Sequence, residues 1–466
     1  MNLKQLYLLF FIILTVQCNS QSQGSKKPNI IIILTDDQGY GDVGFNGSNQ
    51  LKTPNLDKLA KNGVVFTNGY SSYAVCGPSR AGIMTGRYQD RFGFSRNPLF
   101  APNDVNQGLP LSEETLAEAL KKGGYKNIAI GKWHLGTHKA LRPLQRGFDE
   151  FFGFLSGGHQ YFPEMLTVNN LSEVVSQFDA YNTKLLKNDN RIEEKEYLTD
   201  AFSREAVNFI ENNHEKPFFM YLAYNAPHAP LQAPDKYLER FKHIKNKDRR
   251  TYAAMVSAVD DGVGNILKTL TKLKIEENTI VFFLSDNGGN EAKGSYNGLL
   301  KKGKGSLFEG GIRVPFAMQW KGTVEGNQIY DNPIISLDIF ATAIKNAGIS
   351  SKNNLDGVDL IPFLTNKNDG KPHKELYWRM YDKQAHAVRR GDLKYIQDNK
   401  EGQLVYNLKK DISEKNPLSD LEKEKELKKL FSIWNDKNKK PVFDGLPQDK
   451  EYSRKNPDRF KDVEKY

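Results

Sequence analysis

PNIIIILTDDQGYGDVG, residues 28–44, is an apolar run that ends abruptly on two aspartates. The run NIIIIL (29–34) is continuous rather than alternating, which is typical of a strand covered on both faces. Further runs of this kind are NIAI (127–130), PFFMYLAY (217–224) and TIVFFL (279–284). The intervening segments SEETLAEALKKGGY and TYAAMVSAVDDGVGNILKTLTKL have helical spacing, and Ser112 is a suitable N-cap for the first. Strands and helices in turn predict an α/β domain with a largely parallel or mixed central sheet.

The composition changes near residue 370. TNKNDGKPHKE (365–375) is polar and contains glycine, and it is followed by the strand-like pieces ELYWRM, HAVRRGDLKYIQD and QLVYNL. A lysine- and glutamate-rich helix is predicted from about Leu421 to Asn435. We therefore expect a leader over residues 1–24, a main domain over 25–369, and a C-terminal subdomain over 370–466 built from a small antiparallel sheet and one helix.

The first residues resemble an export signal. A lysine precedes an apolar run from Leu6 to Val16, which is shorter than the roughly 20 residues that a membrane-spanning helix needs. Cys18 follows directly and matches the lipidation site of a bacterial lipoprotein loosely. The alternative is an ordinary signal peptide cut a few residues later. Both readings predict an exported protein, either periplasmic or attached to the outer membrane by a lipid anchor at Cys18.

The charge balance favours an anionic partner without specifying it. The chain has 66 lysines and arginines against 56 aspartates and glutamates, a net charge of +10. The lysines are scattered, and no nucleic-acid-binding motif accompanies them, so we expect no nucleic-acid partner. An anionic polysaccharide is compatible with the charge.

Polar residues stand at the end of each buried run, where packing alone would not place them. In an open α/β sheet the carboxyl ends of the strands share one edge, and ligands bind there. One such ending could be a turn or a structural histidine, but four together predict a site. The residues concerned are Asp36, Asp37, Lys132, His134, His228, Asp286 and Asn287.

The acidic members of this set predict a metal site. Asp36 and Asp37 are adjacent and would repel each other unless a cation lay between them. Asp286 and the amide oxygen of Asn287 would complete a set of oxygen ligands. Such a set suits Ca²⁺, or Mg²⁺ with some waters, better than zinc.

AVCGPSRAGIMTG (74–86) contains one of the two cysteines in the chain, and Cys76 has no obvious disulfide partner. We expect Cys76 to lie at the end of a strand-like run, followed by a Gly-Pro turn. Cys-x-Pro-Ser-Arg followed by Thr-Gly resembles the signature of the type I sulfatases, members of the alkaline phosphatase superfamily. Further segments stand in the order of that family: PNIIIILTDDQGYGDVG, TPNLDKLAKNGVVFTN, IGKWHLG, RGFDEFFG, APHAP, SDNGG, GKGSLFEGGIRVP and VYNLKKDISEKNPLSD. The resemblance implies an alkaline-phosphatase-like fold with a large mixed sheet flanked by helices and a smaller C-terminal domain.

The resemblance also implies a role for each site residue. A maturation enzyme oxidises the cysteine at the position of Cys76 to formylglycine (3-oxoalanine), whose hydrate is the nucleophile. Asp36, Asp37, Asp286 and Asn287 match the metal ligands, joined by residue 76. Arg80 would hold the nucleophile, and Lys132 and Lys304 would bind the sulfate. His134 would accept a proton, and His228 would protonate the leaving oxygen.

The expected activity is hydrolysis of a sulfate ester on a carbohydrate, from an algal polysaccharide or a glycosaminoglycan. An aryl sulfatase, a phosphate or phosphonate monoester hydrolase, and a non-catalytic glycan-binding protein are the alternatives. RFGFSRNP (91–98) and SGGHQYFPE (156–164) mix aromatic, basic and histidine residues. Arg96 and His159 are therefore candidates for reading a neighbouring charge or hydroxyl. The competing interpretation is that the phenylalanines of these loops belong to the core.

Overall fold

The computed structural model describes residues 27–170 and 173–460. The predicted leader and Cys18 lie outside these residues, so the export signal and the lipid anchor stay predictions. In the parts of the chain that are described, no helix combines the length and hydrophobicity needed to cross a membrane.

Most strands belong to one large mixed sheet of ten strands, in the order β11-β2-β10-β9-β1-β8-β4-β5-β6-β7. The remaining strands form a two-stranded sheet, β12-β3, and a four-stranded sheet, β13-β14-β15-β16. The strand bounds are β1 Asn29–Thr35, β2 Val64–Phe66, β3 Gly69–Tyr70, β4 Lys126–Lys132, β5 Glu150–Phe154, β6 Leu185–Lys187, β7 Asn190–Ile192, β8 Phe218–Ala223, β9 Thr279–Ser285, β10 Phe316–Gln319, β11 Gln328–Tyr330, β12 Ile334–Ile335, β13 Glu375–Met380, β14 Ala385–Arg390, β15 Leu393–Asp398 and β16 Gly402–Asn407.

Helices pack on both faces of the large sheet, which separates the hydrophobic core into two layers. Their bounds are α1 Pro54–Lys61, α2 Cys76–Thr85, α3 Leu116–Lys122, α4 Leu198–Asn213, α5 Asp235–Leu238, α6 Lys247–Lys272, α7 Glu309–Ile312, α8 Asp338–Asn346, α9 Ile361–Leu364, α10 Leu421–Asn435 and α11 Asp449–Lys455. The predicted α/β class and the large mixed sheet flanked by helices are confirmed.

The four apolar runs read from the sequence are the four central strands of the large sheet. β1 pairs in parallel with β8 on one side and with β9 on the other, and β8 pairs in parallel with β4. Every residue of β1 is buried, as expected for a strand covered on both faces. Because these strands are parallel, their carboxyl ends meet at one edge of the sheet.

Two local predictions need correction. Ser112 does not cap the first predicted helix; α3 begins later, with Thr115 as its N-cap in a capping box with Glu118. The Gly-Pro pair after Cys76 does not form a turn at a strand end. Cys76 is instead the first residue of α2, and Pro78 lies in the first turn, where its missing N–H costs no hydrogen bond.

The predicted C-terminal sheet and helix are present. Buried side chains of this sheet contact residues from earlier in the chain. The indole of Trp378 on β13 donates to the carbonyl of Ser71 over 2.9 Å. Lys394 on β15 lies 2.8 Å from Glu309 of α7 and 2.9 Å from Glu414, with all three side chains fully buried. The polar segment before β13 lies between α9 and the sheet. The domain boundary at residue 369 stays a prediction.

Candidate active site

The residues predicted at the strand ends come together at the carboxyl edge of the central sheet. Asp36 and Asp37 follow β1, Lys132 ends β4 and His134 lies just beyond it, and Asp286 and Asn287 follow β9. Asp37 and His134 have left-handed backbones, with φ of 61° and 56°. Such conformations are costly for residues other than glycine and cluster at functional sites. The chain therefore maintains strained backbone at two of these strand ends.

The acidic residues form a compact cluster with oxygen atoms available for a cation. Ligand atoms of Asp36, Asp37, Cys76 and His228 all lie within 4.8 Å of one another. Asn287 donates its amide nitrogen to Asp37 over 2.8 Å. Its buried amide oxygen has no hydrogen-bond partner among the described residues. A buried oxygen without a donor, beside two carboxylates, fits a hard cation such as Ca²⁺ or Mg²⁺.

Three cations lie against these carboxylates. Arg80 of α2 donates to Asp286 over 2.9 Å, and Lys132 contacts Asp36 over 2.5 Å. Lys304 lies 2.8 Å from Asp37. Burial alone would lower the pKa of both lysines. The neighbouring carboxylates have the opposite and larger effect, so the net pKa of each lysine lies above its usual value. Both lysines therefore stay charged at neutral pH and can bind an anionic group.

The pKa values of Asp36 and Asp286 are shifted in opposite directions. Burial raises the pKa of Asp36, but Lys132 and the other nearby cations bring it well below its usual value. Burial and the charge of Asp36 raise the pKa of Asp286 to about 6, against the opposing effect of Arg80. The carboxylates of Asp36 and Asp286 therefore still repel each other in the presence of these cations, and a bound metal ion would relieve that repulsion.

Cys76 lies at the centre of the cluster and is almost completely buried. Its sulfur is 3.3 Å from a carboxylate oxygen of Asp36 and 3.4 Å from the ammonium of Lys304. Burial raises the pKa of the thiol well above its usual value, and Asp36 raises it further. The side chain is therefore a neutral thiol at neutral pH, although its place at the N-terminus of α2 would suit an oxygen that carries negative charge.

Two histidines complete the site. Burial and Lys132 keep the pKa of His134 well below its usual value, so this ring is neutral at neutral pH and can accept a proton. The Nδ1 atom of His228 lies 2.6 Å from the carbonyl oxygen of Ala229, which requires a proton on Nδ1 because a carbonyl only accepts. The other nitrogen, Nε2, lies 3.7 Å from Asp37. Burial and Lys304 lower the pKa of His228.

Arg96 and His159 are not brought into this cluster by any contact among the described residues. Arg96 forms a two-pronged ion pair with Asp382 and donates to the carbonyl of Phe443. His159 is 1% exposed and stacks on Phe154. Phe92 and Phe94, beside Arg96 in the sequence, are also buried. Both side chains therefore already interact with other residues of the protein. Their role in sugar recognition stays a prediction.

Three further residues of this region were not singled out from the sequence. Asn225 follows β8 and is 1% exposed, yet neither amide atom has a partner among the described residues. Burial raises the pKa of Tyr221 to about 12, with Arg80 opposing the shift. Burial raises the pKa of Tyr181, and the charge of Lys132 opposes this shift, so the ring lies within electrostatic range of the cluster. Asn225 stands inside the quoted motif YNAPHAP, whereas the tyrosines carry no local signal.

Comparison with known proteins identifies the family. Residues 28–349 match the model of the family described as Sulfatase, and residues 302–449 match that described as N-sulphoglucosamine sulphohydrolase, C-terminal. The chain belongs to the sulfatase family. This sulfatase is 37% identical over 360 residues to the N-acetylgalactosamine-6-sulfatase of Mus musculus, covering 73% of the chain. The alignment covers 66% of the mouse protein, slightly less than two thirds of its length.

Solved structures agree with the family assignment. The crystal structure of Ps i-CgsB in complex with k-i-k-neocarrahexaose is 39% identical, with a TM-score of 0.86, and the match covers 94% of this sulfatase and 100% of that chain. The PsFucS1 sulfatase from Pseudoalteromonas sp. is 25% identical, with a TM-score of 0.74, covering 99% of this sulfatase and 95% of that chain. The predicted alkaline-phosphatase-like sulfatase fold is confirmed.

Proposed function

We propose that this protein is a sulfuric ester hydrolase that removes sulfate from a sulfated oligosaccharide. The carrying observation is the position of Cys76, buried among carboxylates and within 3.4 Å of the Lys304 ammonium. A buried thiol with a raised pKa is a poor nucleophile as it stands. The same position is well suited to a residue made by oxidising that thiol.

The matured side chain would supply what the thiol lacks. A formylglycine at residue 76, once hydrated, offers one hydroxyl to attack sulfur and a second that can return the carbon to the aldehyde and release sulfate. Asp36 would accept a hydrogen bond where the Cys76 sulfur now lies 3.3 Å away. Arg80, held between Asp286 and the carbonyl of Lys132, would fix the orientation of this group.

The metal ligands and the lysines would act on different oxygens of the sulfate group. Asp36, Asp37, Asp286 and Asn287 would hold Ca²⁺, or alternatively Mg²⁺, which supplies positive charge to a sulfate oxygen when bound. Lys132 and Lys304 would contact the remaining sulfate oxygens, where negative charge increases in the transition state. Their raised pKa values keep them charged for this role.

The two histidines would transfer protons in two different steps of the reaction. His134 is neutral and has a buried ring nitrogen, Nδ1, with no partner among the described residues, so it can take the proton that starts sulfate release. His228 has Nε2 directed toward Asp37, and in its protonated form this atom can donate to the leaving oxygen. A sugar hydroxyl needs such a proton because it is a poor leaving group.

Two similarities support a carbohydrate substrate. Ps i-CgsB, which shares 39% identity, was crystallised with k-i-k-neocarrahexaose, and the mouse relative is named for sulfate on N-acetylgalactosamine. Algal galactan and glycosaminoglycan fragments are therefore the substrates to test first. The N-terminal segment supports export to the periplasm or attachment to the outer membrane, where such fragments would be met.

The experiment combines the mass of residue 76 with sulfate release. The protein is produced with and without a formylglycine-generating enzyme, and the peptide containing residue 76 is examined by mass spectrometry for replacement of thiol by aldehyde. Both samples and a Cys76→Ala variant are assayed on sulfated oligosaccharides, an aryl sulfate, and a matched phosphate and phosphonate monoester. We expect sulfate release only from the matured sample.

The other outcomes separate the alternatives. Preference for the phosphate or phosphonate ester would identify a phosphate or phosphonate monoester hydrolase. Preference for the aryl sulfate would identify an aryl sulfatase. Oligosaccharide binding without turnover of any ester by the matured sample would identify a non-catalytic glycan-binding protein. Full activity in Cys76→Ala would refute the mechanism.

A further inference from the structure

The turn between β13 and β14 contacts the loop that carries Lys304. It consists of the 3₁₀ segment Tyr381–Lys383 and Gln384, whose left-handed backbone (φ 48°) closes the turn. The ammonium of Lys383 donates to the carbonyl of Gly305 over 2.6 Å. Gly305 in turn donates its N–H to the carbonyl of Ala74 over 2.8 Å, two residues before Cys76. Lys383 is thus hydrogen-bonded to the residue that follows Lys304, and that residue is itself hydrogen-bonded to the backbone just before Cys76.

Lys383 differs from the other cations of this region because no carboxylate of the described residues forms an ion pair with it. No carboxylate oxygen of the described residues lies within 4.0 Å of its ammonium, whereas Arg96 is paired with Asp382. Lys301 and Lys302 both pair with Glu401. Lys383 is exposed, and its single hydrogen bond leaves two donors of the ammonium free. An exposed cation with free donors beside an anion-binding site is positioned to bind a second anion.

We propose that Lys383 binds a second sulfate group of the same oligosaccharide, on a sugar unit adjoining the one that is hydrolysed. This inference rests on the proposed function, because it assigns the substrate a second charge at the same site. Lys383 has free donors for reading neighbouring sulfation, whereas the guanidinium of Arg96 is paired with Asp382. The enzyme would then prefer multiply sulfated fragments and discriminate against singly sulfated ones of equal length.

The surroundings of Lys383 support this role. Burial lowers its pKa; Asp398 opposes that effect, and the nearby Lys400 and Lys302 lower the pKa further. A sulfate at this position would relieve the repulsion among these lysines. It would also be held by a short turn attached to Gly305, so little ordering of the backbone would accompany binding.

The test measures KM and kcat of Lys383→Gln and Lys383→Arg on two oligosaccharides of equal length, one with a single sulfate and one with two. Lys242→Gln, which removes the same charge from an exposed lysine that pairs only weakly with Glu239, is the matched control. We expect Lys383→Gln to raise KM for the disulfated substrate by about 3- to 10-fold with little change in kcat. Lys383→Arg should restore most of the affinity, and the effect should shrink at high salt.

Equal changes in KM for both oligosaccharides, or no change for either while wild type releases sulfate, would overturn this inference and leave the proposed function standing. If wild type hydrolyses no sulfate ester, the proposed function fails and calorimetric binding of the disulfated oligosaccharide decides the inference. Weaker binding by Lys383→Gln than by Lys242→Gln would support it, and equal binding would overturn it.

Discussion

The ammonium of Lys304 lies 3.4 Å from the sulfur of Cys76, although the two residues are 228 positions apart in the chain. The same ammonium contacts Asp37. Lys301 and Lys302, which composition does not distinguish from it and only the GKGSLFEGG context sets apart, pair instead with Glu401. Lys304 is therefore the lysine of this segment that can act on the group at residue 76.

Lys304→Ala should lower kcat by about 10²–10³, because it removes one cation that stabilises charge developing on the sulfate oxygens. Lys301→Ala is the matched control and should retain activity within a few-fold, since the ammonium of Lys301 pairs with Glu401 rather than with the groups around residue 76. Sulfate release under saturating substrate measures both. A loss in Lys301→Ala as large as that in Lys304→Ala would point to damage of the whole loop.

Asn287→Ala should weaken metal binding with little effect on the metal-free fold. The substitution removes a buried amide oxygen that has no hydrogen-bond partner among the described residues, together with the hydrogen bonds that the amide nitrogen donates to Asp37 and to the carbonyl of Gly288. Thermal unfolding across a Ca²⁺ titration, with elemental analysis of the purified protein, gives the readout. We expect the unfolding temperature of wild type to rise at lower Ca²⁺ concentrations than that of the variant. Stoichiometric zinc in the protein would contradict the proposed oxygen-bound calcium or magnesium.

His228→Ala should slow hydrolysis of a carbohydrate sulfate by about 10²–10⁴ and that of an activated aryl sulfate far less. The reason is that a sugar oxygen needs a proton as it leaves, whereas a nitrophenolate does not. Equal slowing of both substrates would assign His228 to sulfate binding instead.

The pH dependence of the carbohydrate reaction should carry the same signature. The acid form of His228 exists only below its pKa, which burial and Lys304 depress. The kcat/KM value for the carbohydrate should therefore fall as pH rises through that lowered pKa, and this fall should be absent from the His228→Ala profile. An unchanged profile in the variant would exclude His228 as the titrating acid.

Lys394→Met should destabilise the protein by about 3–5 kcal/mol at pH 8, because it leaves Glu309 and Glu414 buried without their shared cation. In the native protein the pKa of Glu309 is held at about 2, chiefly by Lys394 acting against burial, while burial raises that of Glu414 to about 7. Losing the lysine raises both folded-state values. Stability of the variant should therefore fall as pH rises from 5 to 8, relative to wild type.

Denaturant unfolding at the two pH values measures this effect. Lys272→Met is the control, since Lys272 forms an exposed pair with Glu211 and should change the free energy of unfolding by less than about 1 kcal/mol. A loss for Lys394→Met that is the same at pH 5 and pH 8 would show that the two glutamates are not the source of the destabilisation.

The sequence by itself determined the central strands, the polar residues at their ends and the family. Continuous apolar runs such as residues 29–34 can only be strands or helices that are covered on all sides, and parallel strands necessarily bring Asp36, Lys132 and Asp286 to one edge. Periodicity is local, and the parallel direction of the strands follows from the alternation of strands and helices along the chain. The helical start at Cys76 was not visible, because a Gly-Pro pair is compatible with a turn as well as with a first helical turn.

Only the tertiary structure decided which charges are free. The sequence shows several basic residues of the same kind, namely Arg96, Lys301, Lys302 and Lys383. Whether each can bind an anionic ligand depends on carboxylates from segments tens to hundreds of residues away. Asp382 neutralises Arg96, while Lys383, the next residue along the chain, keeps an ammonium with no acidic partner among the residues described. Pairing over such separations is set by how the C-terminal sheet docks on the loop around Lys304, and no local pattern encodes it.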